Sequence, residues 1–165
     1  MQIRLATEHD LPEVAAIHVA SWQAAYRGLL ADDLLDGLSV EGRIPAWQSW
    51  YADPQATLWV ADDASGVAGF CKRVWSEPGE VAEITHLYLQ PRCYGRGIGS
   101  PLLAAAVEAT RSEFPSAVLF LWVLEKNRRA RHFYEREGWI DEGTLESRHE
   151  WLGEGVFEAH YRYGR

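Results

Sequence analysis

The sequence predicts an α/β (α+β) fold: a mixed, mostly antiparallel twisted sheet of about seven strands, flanked by helices, with a βαβ unit at its centre. Three observations predict it. Short β-branched and aromatic runs alternate with longer segments whose apolar residues recur at helical spacing. Three strand-like runs between residues 57 and 89 follow one another with connections too short for a parallel crossover, so they pair antiparallel. A glycine turn, a helix and a nearly unbroken apolar run then follow, as expected for a parallel return to a strand covered on both faces. At 165 residues the chain reads as one domain, 1–165, large enough for a sizeable core.

Taken in order, Ile3-Arg4-Leu5 alternates and reads as a first strand. Asp10 is placed to cap a helix that has Pro12 in its first turn and Glu13 at its third position, a capping box. Leu11, Val14, Ala15, His18, Trp22, Ala25 and Tyr26 share one helical face, and Gly28 ends the helix. Residues 32–38 and 44–51 read as two short helices, the second with Trp47 and Trp50 one turn apart. Residues 57–61 and 67–75 are strands around a hairpin turn, and 81–89 is the next. Residues 100–114 form a helix with Pro101 in its first turn, where no N–H is needed. Residues 117–123 are the returning strand. Asn127 caps a further helix that carries Ala130, Phe133 and Tyr134 and stops at Gly138. Residues 139–145 and 157–163 close the chain as an antiparallel pair, whose exposed strand allows a homodimer.

Composition narrows the function. No window approaches ~18 uninterrupted apolar residues, so no membrane partner is expected. The opening MQIRLATEHD lacks the basic and apolar regions of a signal peptide. Cys71 and Cys93 are too few for a disulfide framework or a metal quartet, which points to reduced thiols, a cytoplasmic location and no metal. The net charge is −8. Residues 1–90 carry five Lys/Arg against 13 Asp/Glu, whereas 91–165 carry eleven of each. Arg92, Arg96, Lys126, Arg128, Arg129 and Arg131 cluster near the glycine turn and the next strand end, which suits a small anionic ligand. A nucleic-acid partner would want a basic domain and is not expected. The acidic first half favours a cationic substrate, weakly, through the field.

The chain is organised around 83–103, EITHLYLQPRCYGRGIGSPLL. Gly95, Gly97 and Gly99 let the backbone approach a ligand, and N–H groups at a helix start hold anions. A nucleoside-triphosphate loop would need a lysine near Gly99-Ser100-Pro101, where there is none. A dinucleotide fingerprint would need a glycine at Ser100, although Glu125 could serve as a late ribose-binding acid. Acyl-coenzyme A is the third reading. Tyr94-Gly95-Arg96-Gly97-Ile98-Gly99 resembles the pyrophosphate loop, Gln/Arg-x-x-Gly-x-Gly/Ala, of the GNAT superfamily of N-acetyltransferases, with Tyr94 at the position usually held by Gln or Arg. A second stretch, LWVLEKNRRARHFYEREGW, places Asn127, Ala130, Phe133, Tyr134 and Gly138 in the register of another motif of that family, with Trp139 for the usual Phe. The order of elements resembles the same fold over essentially the whole chain.

That resemblance implies acetyl transfer from acetyl-CoA, as co-substrate, to a primary amine of a small molecule or peptide. Backbone N–H groups of Tyr94, Gly95, Arg96, Gly97, Ile98, Gly99 and Ser100 would hold the diphosphate. The main chain of Leu87 and Leu89 would pair with the pantetheine arm, their side chains lying in the core. Asn127 would bond the same arm, cap its helix, or both. Tyr134 would be the general acid to the thiolate. Glu83, set between Ala82 and Ile84 in an apolar strand, is the candidate base; a carboxylate there is costly to bury unless used. His86 competes with it, but strict alternation puts His86 on the opposite face of the strand. Trp22 and Tyr26 are candidate acceptor-binding residues, and Trp47, Trp50 and Trp75 could join them as a cation–π lining. A ping-pong route through Cys71 or Cys93 lacks a matching His and acid. The alternative of a different class is a non-catalytic acyl-CoA-binding or sensing module on the same fold.

Overall fold

The chain runs β1 (Gln2–Leu5), α1 (Leu11–Ala25), α2 (Asp32–Asp36), α3 (Val40–Tyr51), β2 (Ala56–Asp63), β3 (Gly66–Glu77), β4 (Val81–Leu89), α4 (Gly99–Glu113), β5 (Val118–Leu124), α5 (Arg128–Arg136), β6 (Trp139–Glu146) and β7 (Phe157–Tyr163). The computed structural model describes residues 1–147 and 149–164. The strands form one sheet in the order β1-β2-β3-β4-β5-β7-β6. Every neighbouring pair is antiparallel except β4 and β5. The predicted mixed, mostly antiparallel sheet and its central βαβ unit are borne out.

Two apolar layers sandwich the sheet. On one face Leu102, Leu103 and Ala106 of α4 pack on Ala82, Ile84, Leu119 and Leu121. On the other, Leu11, Val14 and Ile17 of α1 and the fully buried Trp47 of α3 cover Val60, Val67 and Phe70. A smaller cluster ties Trp22, Leu30 and Leu35 to Leu124 of β5 and to Leu152, just before β7.

Two features of β4 position everything that follows. It pairs with β5 over Val81–Glu83 only, opposite Val118–Phe120, and beyond Glu83 the described strands part. It also carries a bulge against β3. Lys72 pairs with His86 and Arg73 with Ile84, so Thr85 is an extra residue. A bulge bends its strand and sharpens the local twist. It also breaks the alternation on which the placement of His86 rested. Glu83, Thr85, His86 and Tyr88 all face one cleft, while Ile84, Leu87 and Leu89 pack with the α4 layer. The expectation that His86 points away from Glu83 is thereby corrected.

Asp10 is a second correction. Its side chain makes no cap bond to α1. It accepts instead from the Thr7 backbone N–H (2.7 Å) and from both Arg4 terminal nitrogens (2.8 Å each). The guanidinium holds the Asp10 carboxyl well below the usual carboxylate range. Glu13 is likewise drawn off its helix, accepting from the Val67 backbone N–H at 2.9 Å. Charged and cross-chain donors outbid the local cap. Helix α1 ends at Ala25 rather than at Gly28, and α3 starts at Val40, where the Ser39 hydroxyl accepts from the Gly42 N–H at 3.1 Å.

Candidate active site

The chain turns sharply off β4. The Gln90 N–H donates to the Ala68 carbonyl (2.8 Å), Cys93 to Gln90 (2.8 Å) and Tyr94 to Pro91 (3.2 Å). Gly95 and Gly97 then take φ of 73° and 76°, a region that side-chain-bearing residues avoid. A Cβ at either position would meet nothing within 4 Å, so the space over both is open. The Arg96 N–H reaches the Cys93 carbonyl at 3.4 Å. The N–H groups of Gly95, Gly97, Ile98, Gly99 and Ser100 make no hydrogen bond among the described residues. Five free amides thus converge at the start of α4, whose dipole adds positive potential. From α5, Arg129 lays its guanidinium 4.1 Å from the centroid of the Tyr94 ring. The cation that the sequence lacks at position 94 therefore stands over it in space. Phe133 packs against Gly99 and locks α5 beside the loop.

A cleft of about 720 Å³ opens on the α1 side, over the splayed strands. Its lining includes His18, Trp22 and Tyr26 of α1, Arg43 and Trp50 of α3, and Lys72 of β3. It also includes Glu83, His86 and Tyr88 of β4, Trp122 of β5, Glu146 of β6, Glu158 of β7, and Trp151 from the loop before β7. Trp151 stacks on Trp22 at 5.6 Å and 19°. The hydroxyls of Tyr26 and Tyr88 share a hydrogen bond of 3.0 Å. Below them, the Ser21 hydroxyl donates to the Leu89 carbonyl at 2.7 Å.

The cleft's electrostatics follow from burial. The Trp47 indole N–H donates to His18 Nδ1 at 3.1 Å, and burial together with the Arg43 charge pushes His18 down to about 3. Burial also takes His86 well below its ordinary value, helped by His18, Lys72 and Arg43. Both imidazoles are neutral at pH 7. The Lys72 ammonium, 5.6 Å from the Trp50 ring centroid, is pulled down by burial and partly restored by Asp53 and Glu83. Tyr134 is buried, and its phenol is pushed up by burial and by Cys71 and Tyr88, so it holds its proton. The Cys71 thiol is pushed up by burial. Cys71 and Cys93 are both buried and free, and neither lines the cleft.

The model of the acetyltransferase (GNAT) family matches residues 12–139. The chain belongs to the GNAT acetyltransferase family. It is 30% identical over 154 residues to a probable N-acetyltransferase of Mycobacterium tuberculosis, covering 87% of this chain and 82% of that protein. Among solved structures, the PaiA N-acetyltransferase of Thermoplasma acidophilum in complex with coenzyme A superposes with a TM-score of 0.75 at 20% identity, over 99% of this chain and 100% of that one. The ribosomal-protein-alanine N-acetyltransferase of Brucella melitensis gives a TM-score of 0.75 at 24% identity, over 98% of both chains. At these identities the two structures speak for the fold.

With the GNAT fold in place, the residues singled out in the sequence fall into three groups. The loop residues from Tyr94 to Ser100 lie together at the head of α4, with the Tyr94 and Arg96 amides already engaged. Glu83, Trp22 and Tyr26 meet in the cleft. Tyr134 does not line it, but its phenol acts electrostatically on Tyr26, which does. Asn127 Oδ1 accepts from the Ala130 N–H at 3.1 Å, so it caps α5 as expected. The side chains of Leu87 and Leu89 are partly buried and pack against the core. Of the further aromatics, Trp50 reaches the cleft; Trp47 is buried behind His18, and Trp75 lies in the α4 layer. Within the basic cluster, Arg131 is spent on Tyr161 and Asp141, and Arg92 on Gln90 and Asp63. His18 had a sequence signal, since it shares the Trp22 face of α1. Arg43 and Lys72 had none, because each reads as an ordinary charge on a helix or strand.

Proposed function

We propose that this GNAT protein moves an acetyl group from acetyl-CoA directly to the primary amine of a small molecule or peptide. The observation that carries the reading is the set of five unbonded amides at the head of α4, open to a ligand and backed by Arg129. Charge-assisted bonds from such amides suit a diphosphate. The parted edge of β4 beyond Glu83 leaves main chain near Leu87 and Leu89 to meet an extended arm. Asn127 spends its oxygen on the cap and keeps its amide N–H groups for the same arm.

Acetyl-CoA supplies the thioester whose carbonyl carbon takes the amine nitrogen and whose sulfur leaves as thiolate. This chain does the rest. Trp22 and Tyr26 hold the acceptor. At pH 7 only about one in ~10³ of a lysine-like amine is neutral, so a base is needed. Glu83 takes that proton, directly or through water. An N–H at the end of β4 faces the developing oxyanion. Tyr134 gives its proton to the departing sulfur. The ammonium sheds two protons in becoming a secondary amide: Glu83 takes the first and passes it to solvent, and the second leaves the nitrogen as the tetrahedral intermediate collapses and restores the proton that Tyr134 gives to the thiolate, so the amide keeps one N–H. The bulge sets His86 on the same cleft, so it stands as the second candidate for the base.

The test is a titration of acetyl-CoA with free thiol followed across a panel of amines. Thiol release that requires an amine supports transfer. Tight binding with no release on any amine makes the protein a sensor. Glu83→Gln should cut kcat by about 10²-fold or more with little change in coenzyme affinity. Full turnover in that variant would pass the role to His86.

A further inference from the structure

The cleft holds more positive and donating groups than amine deprotonation needs. Arg43 lines it and forms no ion pair among the described residues. Lys72 lines it too, although the residue is only 5% exposed. His18, 2% exposed, completes the set. Its Nδ1 is taken by the Trp47 N–H, which leaves the proton on Nε2. That Nε2–H is buried and has no partner among the described residues. An unmet donor in the wall of a cleft is costly unless something fills it.

The acids stand elsewhere. Glu146 and Glu158 come from β6 and β7, and Glu158 accepts from the Ser147 hydroxyl at 2.7 Å. In the sheet order β4 separates β3 from the β5-β7-β6 side. Glu83 of β4 therefore lies between a cationic wall and an acidic one. A ligand whose amine lies against Glu83 has Arg43 and Lys72 on one side of it.

We propose that the acceptor is an amine that also carries a carboxylate, of α-amino-acid type. Arg43 and Lys72 bind that carboxylate, and His18 reaches it with its neutral Nε2–H through a small shift of the ring, since that atom is closed to solvent. The guanidinium fork matches a planar carboxylate. Aromatic walls from Trp22, Trp50 and Trp122 take the rest of the molecule. A polyamine offers nothing to this wall and would have to place its further ammonium groups toward Glu146 and Glu158. The proposal rests on the acetyltransferase reading.

The test compares matched acceptors, each an amino acid, its carboxamide and its decarboxylated amine, with spermidine as the polyamine arm. Thiol release with acetyl-CoA gives kcat/KM for each. The amino acid should exceed both partners by at least about tenfold, and Arg43→Gln should raise its KM by a similar factor. Equal rates across a set, or a preference for the decarboxylated amine or for spermidine, overturn the proposal. If acetyl-CoA binds but no amine releases thiol, transfer fails as a reading, and binding then decides this one. Calorimetry of the coenzyme-loaded protein with N-acetyl amino acids against their amides should favour the acids, and Arg43→Gln should erase the preference. No difference between acid and amide rejects it.

Discussion

The glycine loop draws its groups from seven consecutive residues, 94–100. The cleft draws His18, Arg43, Lys72, Glu83, His86 and Glu158 from five different elements. The loop offers main-chain amides, so what it can bind is set by backbone shape, with glycine required at 95 and 97. The cleft offers side chains, several of them buried and packed into the layers that carry them. One half of the candidate site is thus made of amides and the other of side chains. That division explains why the family could be read from the sequence and the acceptor could not.

The comparison breaks first at the loop. Gly97→Val puts a β-branched residue at φ 76°, which costs roughly 1–3 kcal/mol, and fills the space above the amides. Coenzyme A affinity measured by calorimetry should fall by at least about 100-fold. Unchanged affinity would move the diphosphate elsewhere. Tyr134→Phe should lower kcat by about 10²-fold while leaving coenzyme affinity within about twofold. Stopped-flow turnover equal to the parent protein would remove this phenol from the reaction. Arg129→Ala and Tyr94→Ala should each weaken coenzyme binding by about three- to tenfold. Because the two side chains form one unit, the double variant should lose little more than either single one. Fully additive losses would show that the stacking does not matter for binding.

A last prediction, on stability and not on binding, sharpens the cleft. His18 stays neutral down to about pH 3 in the folded chain, whereas an unfolded histidine protonates near about 6.5. The unfolded state therefore binds more protons between those values, and stability is lost as pH falls through that window. The slope from this group approaches about 1.4 kcal/mol per pH unit, and His86 acts in the same direction. Urea midpoints should drop on acidification from about pH 6.5. His18→Gln should flatten that slope, and an unchanged slope would show that His18 is hydrated in the native chain.

Much of the fold was legible because its signals are local. The helical spacing along α1, the Asn127 cap, the proline in the first turn of α4 and the apolar run of β5 each declare an element within a few residues. The loop was legible for the same reason. Three things were not. Asp10 had the spacing of a cap, but Arg4 and Thr7 outcompete the helix for its oxygens, and their approach depends on where β1 lands. Arg129 was visible as a basic residue, yet its stacking on Tyr94 needs the packing of α5 beside α4. His86 was set on the wrong face because a bulge leaves no mark in composition. Thr85 is an ordinary strand residue, and only its misfit against Lys72 and Arg73 shows that it is surplus.

That surplus residue sits just past Glu83, the last point at which β4 holds hands with β5. Excising Thr85 would keep His86 and Tyr88 toward the helix pair and Leu87 toward the opposite layer, since a straight ribbon restores the same parity. What would vanish is the bend. The bulge toward β3 and the end of the pairing with β5 fall at one place in the strand. A single threonine thus marks where this architecture gives up cohesion to gain an entrance.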